Sequence, residues 1–324
     1  MPGIAPNRSP HPSIAQRGLP GEPIPRAVKA VIYDRRGRFL LQKRDNSPDI
    51  FEPAHWGFFG GLVEVGESPE QALVRELHEE LGLEVDKPGQ ELFRLDHGTF
   101  GILNIGFAVR YEGNEEFRLG EGQAYDWFPI EGALSLRLSN LVMQHISVML
   151  NLVAELDPGV ADRLELVLLA RANLWKKNER VYYAIRTPAE IAPQDLVLLR
   201  ELARFRKLPF CRVCLHLSDQ DPVHEMLMIH TGPMCIGPLR QERKSSLSYH
   251  MLDGKAEISL YDNDGVRLSS CAIGSDDATV PSSVRLDAST FRTIRSHSPY
   301  AIFLEVAAGP FVDNDTIWLT GNNK

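Results

Sequence analysis

The sequence predicts an α/β domain followed by a mostly β domain, and three observations carry that reading. Two β-rich runs, RAVKAVIYD and RFLLQKRD, are joined by the turn DRRG. A strongly marked amphipathic helix follows in SPEQALVRELHEELG. Beyond residue 210 the texture changes to short strands separated by DG and NDG turns, the pattern of a sandwich or barrel.

The chain has 324 residues. At roughly 150 residues per domain, that length accommodates two domains, each with its own core. Residues 1–25 are rich in proline and lack an apolar run, so they read as an extended, poorly ordered leader without a signal peptide. The first domain is expected over 26–155. It opens with the two joined strands and continues through HWGFFGG to the helix. ELFRLDHGTFGILNIGFAVRYEG reads as a pair of strands and YDWFPI as a short one. LSNLVMQHISVMLNLVAEL has apolar residues at helical spacing and closes the domain, ending at the breaker Asp157-Pro158-Gly159. Residues 156–209 read as a mostly helical connector, and 210–324 as the β domain.

A net charge of −8 argues against nucleic acid or an anionic membrane as the main partner. No apolar run reaches the roughly 20 residues needed to span a bilayer. The four cysteines, Cys211, Cys214, Cys235 and Cys271, are too few for a disulfide framework, and a reducing cytoplasm is expected. Cys211 and Cys214 have redox or zinc spacing, but no second CxxC or histidine pair accompanies them. Their surroundings alternate like a strand, which favours buried structural thiols.

The chemistry concentrates in GGLVEVGESPEQALVRELHEELGL, Gly60 to Leu83. Ser68 and Gln71 form a capping-box pattern, Pro69 suits the first helical position, and Gly82 is a stop. On this helix Leu73, Leu77 and Leu81 form an apolar stripe, while Glu76, Glu79 and Glu80 stand at i, i+3 and i+4 on one face. Like charges at that spacing cost a few tenths of a kcal/mol. Arg75 can pair with Glu79, but one arginine does not neutralise three carboxylates. A divalent cation does, and an all-oxygen set suits Mg²⁺ or Mn²⁺ rather than Zn²⁺. A solvated acidic face is the alternative for an isolated REXXEE.

The wider spacing decides between them. Gly61, five residues, Glu67, seven residues, then Arg75-Glu76-Leu77-His78-Glu79-Glu80-Leu81-Gly82-Leu83 matches the Nudix box, G-x5-E-x7-R-E-U-x-E-E-x-G-U, at every defined position. The resemblance to the Nudix hydrolases covers Arg26 to Val153. It implies an α/β/α sandwich on a mixed sheet, with a loop–helix–loop that holds metal against a diphosphate. It further implies that Glu76, Glu79 and Glu80 ligate Mg²⁺ or Mn²⁺, one of them also orienting or deprotonating the attacking water. By the same resemblance Arg75 holds a carboxylate in place and Glu67 supports the loop or the metal shell. Gly60 and Gly61 let backbone carbonyls approach the ion. The family often adds a carboxylate from a later loop, here Glu121 or Asp126, with Glu121 preferred. Phe59 replaces the usual proline before the paired glycines. Trp56, Phe58 and Phe59 either stack on a base or belong to the core of the sheet, and Arg44 is a candidate phosphate contact or a solvated strand-end residue.

From Ile191 onward the chain resembles cupin-fold metalloproteins encoded beside O-antigen and other polysaccharide genes, through SDQDPVHEML, GPLRQERKSSLSYHMLDGKAEISLYDNDG and TFRTIRSHSPYAIFLEVAAGPF. That resemblance implies a β-barrel from Phe210 to Trp318. Where cupins place metal ligands, this chain has Leu239, Gln241, Leu247 and Arg292, so the metal is expected to be lost. His216, His224, His230, His250 and His297 fall outside the HxH pattern and read as satisfied or surface side chains.

Together these readings predict a Mg²⁺-dependent pyrophosphohydrolase fused to a degenerate cupin. Its substrate would be a nucleoside diphosphate linked to a second moiety, such as a nucleotide sugar or a modified nucleoside triphosphate. The rival is a nucleotide sensor whose second domain contacts a partner or a sugar. Homodimerisation is compatible with either.

Overall fold

The structure, a computed structural model, describes residues 24–97, 101–113, 116–242, 246–275, 279–310, 312 and 315–319. The leader expected over 1–25 therefore lies outside the described residues except for Ile24 and Pro25. The chain divides into two compact units, Met1–Val160 and Ala161–Lys324. Among the described residues, no helix is long and apolar enough to cross a membrane.

In the first unit the elements are β1 (Arg26–Asp34), β2 (Arg38–Lys43), β3 (Trp56–Gly57), α1 (Pro69–Leu81), β4 (Glu91–His97), β5 (Ile102–Tyr111) and β6 (Ala124–Pro129). Three short helices close it: α2 (Ile130–Ala133), α3 (Asn140–Gln144) and α4 (Ile146–Val153). The sheet order is β3-β2-β1-β5-β4, with β6 on the other edge of β2. Among the described strands β1 and β5 pair parallel and the other pairs run antiparallel, so the sheet is mixed.

Strand β2 shares one edge between two neighbours. Leu40 pairs with Ile32 of β1, whereas Gln42 and Lys43 pair with β3. The chain after β3 then crosses to β1, where Val28 N donates to Gly61 O at 2.9 Å and Ala30 N to Phe59 O at 2.9 Å. Residues 56–62 thus run from β2 to β1, and the paired glycines lie on the β1 side. Leu73, Leu77 and Leu81 of α1 pack with Val28, Ala30, Ile32, Leu40 and Phe59 beneath them. Each fully buried leucine contributes roughly 2 kcal/mol.

The expected closing helix is interrupted at His145, which has φ −108° and ψ 20° and separates α3 from α4. Its ring stacks on Phe93 with centroids 3.7 Å apart, and its Nδ1 meets Leu141 O at 2.8 Å. Both contacts hold the residue out of a continuous helix.

The second unit departs further from expectation. Helix α5 (Val160–Arg171) opens at the boundary and is followed by β7 (Leu174–Asn178), β8 (Val181–Ala184), α6 (Pro193–Phe205), β9 (Phe210–Cys214) and β10 (Val223–His230). Then come β11 (Met234–Gln241), β12 (Leu247–Asp253), β13 (Lys255–Tyr261), β14 (Arg267–Gly274), β15 (Ser283–Leu286), β16 (Phe291–Ser296), β17 (Ala301–Ala308) and β18 (Thr316–Trp318). The stretch read as a connector is instead part of a sheet: β7 pairs with β8, and β8 pairs parallel with β9. Its helices are pinned to those strands by Glu165, which accepts from Tyr182 Oη and Arg206 Nη1 at 2.6 Å and from Lys176 Nζ at 3.1 Å. Two strands of four and five residues are too short for periodicity to reveal.

The expected barrel is likewise corrected. The strands form a seven-stranded sheet, β15-β12-β17-β10-β9-β8-β7, and a five-stranded sheet, β14-β13-β16-β11-β18. Neither closes on itself. They share a core in which Met228, Tyr249 and Phe303 of the first meet Ile258, Ile273 and Ile294 of the second, the arrangement of a sandwich.

Candidate active site

Helix α1 starts where its local chemistry dictates. Gln71 N donates to Ser68 Oγ at 3.2 Å, and Ser68 N donates to Gln71 Oε1 at 2.9 Å, with Pro69 at the first turn. Gly82 ends the helix at φ 64°, its N–H donating to His78 O at 2.9 Å. The three glutamates leave this helix in different surroundings. Glu79 is 45% exposed and Glu76 14%, whereas Glu80 is buried among the leucines at 5%. The three glutamates share a helix face as the spacing predicts, but Glu80 is withdrawn from solvent while Glu79 is not.

Arg75 organises the near side of the site. Its Nε and Nη2 donate to the two oxygens of Glu67 at 3.0 and 3.1 Å, Nη1 to Glu76 Oε1 at 2.8 Å, and Nη2 to Leu62 O at 3.0 Å. Its contact with Glu79 is longer, at 3.5 Å. The bidentate hold keeps the Glu67 carboxyl below the usual carboxylate range. Burial pushes Glu76 up, with Arg75 opposing.

Glu80 is held at the crossing from β2 to β1. Gly60 N donates to its Oε2 at 2.8 Å and Gln42 Nε2 to its Oε1 at 3.3 Å. Burial pushes its pKa up to about 7, against Lys29 and the Gly60 N–H, which pull it down. Lys29 Nζ in turn donates to Gly60 O at 2.5 Å. Burial lowers the Lys29 pKa, and the charge of Glu80 opposes that shift most strongly.

Both glycines are required by these approaches. Gly60 has φ +116°, and a Cβ there would stand 2.3 Å from Val28 O. A Cβ on Gly61 would stand 2.4 Å from Glu76 Oε1. The loop before β6 docks on the end of α1 through Gly120 N to Glu80 O at 2.7 Å. That contact brings Glu121 close enough for its charge to act on both Glu80 and Lys29. Asp126 instead accepts from Trp127 N at 2.7 Å and lies in the pairing of β6 with β2.

The ligand set read from the sequence (Glu76, Glu79, Glu80, Gly60 and Glu121) is divided between different partners. Among the described residues, no three His, Cys, Asp or Glu side chains converge as a metal site. Arg75 engages Glu76 and Glu79, while Gly60 and Gln42 engage Glu80. The donors nevertheless fit a hard cation: they are carboxylate and carbonyl oxygens, and the missing Cβ of Gly61 leaves room for the Glu76 carboxylate.

The aromatic substrate candidates are placed elsewhere. Phe58 is 3% exposed and lies against Phe93, leaving no face for a base. Trp56 is half-buried and meets Phe128 edge-on at 5.0 Å. Phe59 is core. Arg44 Nε donates to Phe51 O at 3.1 Å, and its charge acts on Lys29. Two site residues went unnoticed in the sequence, Lys29 and Gln42. The available signal was a lone polar side chain within an otherwise apolar strand.

In the second unit, Arg292 is 2% exposed and donates to Tyr249 Oη at 3.2 Å, Ala288 O at 3.3 Å, Gln241 Oε1 at 3.4 Å and Leu239 O at 3.5 Å. Leu247 is core. His230 is fully buried with Nδ1 against Ser296 Oγ, and burial lowers its pKa to about 4. His216 and His224 stack at 4.1 Å, His250 lies between the hydroxyls of Ser248 and Ser283, and His297 is exposed. Cys211 and Cys214 are buried free thiols.

Comparison with known proteins bears on the first unit. The NUDIX domain model matches residues 23–149. The CTP pyrophosphohydrolase of Escherichia coli (strain K12) is 51% identical over 57 residues, which is 18% of this chain and 41% of that protein. The octanoyltransferase of Myxococcus xanthus is 36% identical over 118 residues, 34% of this chain and 32% of that protein. The RNA pyrophosphohydrolase of Gluconacetobacter diazotrophicus is 28% identical over 131 residues, 33% of this chain and 78% of that protein. The chain thus spans less than half the length of the first two. Among solved structures, the E. coli ORF135 protein is 31% identical with a TM-score of 0.35, covering 43% of this chain and 96% of its own. The intact box, the crossing that presents it and the family match agree: residues 23–149 are a NUDIX domain.

Proposed function

We propose that the first unit is a pyrophosphohydrolase that splits a phosphoanhydride bond in a nucleoside diphosphate linked to a second moiety. The observation that carries this reading is the paired hold on the box: Arg75 fixes Glu67 and Glu76, and Gly60 fixes Glu80. Glu76, Glu79 and Glu80, with the Gly60 carbonyl and Glu121, would hold Mg²⁺ or Mn²⁺. Such an ion, when bound, neutralises phosphate charge and makes a nucleophilic water available.

The remaining roles belong to the chain. Arg75 holds the Glu67 carboxyl below the usual carboxylate range and orients Glu76. Glu79, the open member, is placed to accept a proton from water approaching phosphorus. Gln42 and Gly60 hold the Glu80 carboxyl in place. The similarity to a CTP pyrophosphohydrolase and an RNA pyrophosphohydrolase supports a nucleotide anhydride as the substrate class.

For the second unit we propose a cupin-like sandwich without metal, supported by the Arg292 guanidinium lying buried among neutral acceptors. A hydrolysis screen of CTP, oxidised nucleoside triphosphates, nucleotide sugars and dinucleoside polyphosphates, with and without Mg²⁺, tests the first reading. Release of nucleoside monophosphate, together with pyrophosphate or the phosphorylated second moiety, only with Mg²⁺ is expected; no turnover across the panel would overturn it.

A further inference from the structure

Lys29 sits in β1 between Val28 and Ala30, both fully buried, in a strand otherwise made to pack. Lys29 itself is half-buried, and an ammonium group withdrawn from water is costly unless other groups compensate it. Its hydrogen bond among the described residues goes to Gly60 O, at 2.5 Å. Gly60 is also the residue whose N–H holds Glu80, at 2.8 Å. One glycine therefore carries the cation on its carbonyl and the buried carboxylate on its amide. The charges of Glu80, Glu76 and Glu121 all act on Lys29, in that order of strength apart from the opposing Arg44. Arg75 is committed to Glu67 and Glu76 on the near side of the site. Positive charge on the Glu80 side falls to Lys29.

We propose that Lys29 is a positioning residue, the resident cation of this site: it fixes the Gly60 peptide and offsets Glu80, Glu76 and Glu121 until a divalent ion arrives. This rests on the hydrolase reading above. It accounts for three carboxylates, Glu80, Glu76 and Glu121, acting on one cation at Gly60. A bound divalent ion takes over the same compensation, so the protein with Lys29 gains less from binding it than a protein without. Length and charge of the side chain both matter, since the ammonium must span from β1 to the Gly60 carbonyl.

The test is thermal unfolding of the full chain, stripped with EDTA and then titrated with Mg²⁺, for wild type, Lys29→Met, Lys29→Arg and Lys29→Met/Glu80→Gln. Stripped Lys29→Met should melt below wild type, and its rise in Tm with Mg²⁺ should be at least about twice that of wild type. Lys29→Arg, which keeps the charge, should lie between the two. The double variant should melt above Lys29→Met without any ion, because the unbalanced carboxylate is gone. Equal Mg²⁺ responses in wild type and Lys29→Met would overturn the proposal, as would a double variant no more stable than Lys29→Met. If Lys29→Met does not fold when stripped, recovery of folding in the double variant supports the proposal and continued failure overturns it. A wild type that does not respond to Mg²⁺ would count against the hydrolase reading, and the metal-free comparison of single and double variants would still decide the role of Lys29.

Discussion

The Gly60 amide donates to Glu80 Oε2 at 2.8 Å, tying the loop before α1 to the last turn of that helix. The loop and the helix are separate pieces of the box in sequence, and this bond makes them one object. It also places a carboxylate in a dry setting, where its protonation becomes a matter of stability.

Glu80 predicts how the metal-free protein responds to pH. Its pKa rises from 4.5 to about 7 on folding, mainly through burial. The folded state then binds a proton that the unfolded chain has released between those values, so stability falls as pH rises from 4.5 through 7. The loss has an upper bound of roughly 3 kcal/mol. Urea unfolding in EDTA at pH 5 and pH 8 should show a smaller drop for Glu80→Gln than for wild type. An equal drop would place the titration elsewhere.

Turnover should depend on the open carboxylate. Glu79 makes a 3.5 Å contact with Arg75 and is 45% exposed, so Glu79→Gln should leave Tm within a few degrees of wild type. At saturating Mg²⁺ it should lower kcat by about two orders of magnitude or more. Activity should likewise vanish with EDTA and return with Mg²⁺ or Mn²⁺. Near-normal turnover in the variant would remove Glu79 from the chemistry.

Gly61→Ala tests the close approach at Glu76. The new Cβ would fall 2.4 and 2.6 Å from the two carboxylate oxygens, forcing Glu76 off Arg75. At least about a tenfold loss of kcat with a modest stability change is expected. Gly101→Ala serves as the control: at φ +60° with open space it should cost roughly 1 kcal/mol and leave kcat unchanged. Equal kinetic effects would show that backbone strain, not the Glu76 contact, matters.

A fourth expectation concerns where the second unit begins. A fragment from Ala161 retains α5, β7 and β8 and should unfold cooperatively, whereas one from Ile191 loses the parallel partner of β9 and the Glu165 network. The shorter fragment should be aggregated or poorly folded by circular dichroism and gel filtration. The longer one should hold no stoichiometric transition metal by elemental analysis, since Arg292 occupies the interior with neutral acceptors. One tightly bound Fe, Ni or Zn per chain would refute that.

What was legible in the sequence was local. Ser68, Gln71 and Gly82 delimit α1 through bonds that reach no more than about a turn, and the box spacing names Arg75 and the glutamates without reference to the rest of the chain. The withdrawal of Glu80 from solvent was not legible because it depends on a loop twenty residues earlier and on Gln42 from another strand. Lys29 was missed for the same reason: its partner lies 31 residues away. In the second unit, β7 and β8 escaped because β7 pairs only with β8 among the described strands, and β8 is completed by β9, across the whole of α6. Residues in a closed barrel and in a sandwich alternate alike, so strand pattern could not choose between them.

The parallel registry of β1 on β5, from Arg26 against Leu103 to Asp34 against Tyr111, has a consequence for synthesis. It closes a loop of roughly 75 residues, and every residue of the box lies inside it. A nascent chain that has just emerged past Leu83 possesses the whole motif, yet the strand that completes the floor under α1 is still within the ribosome. Until β5 arrives, the acidic helix has half a sheet to lie on. The box is thus assembled late although it is translated early, and the order of emergence separates having the residues from having their arrangement.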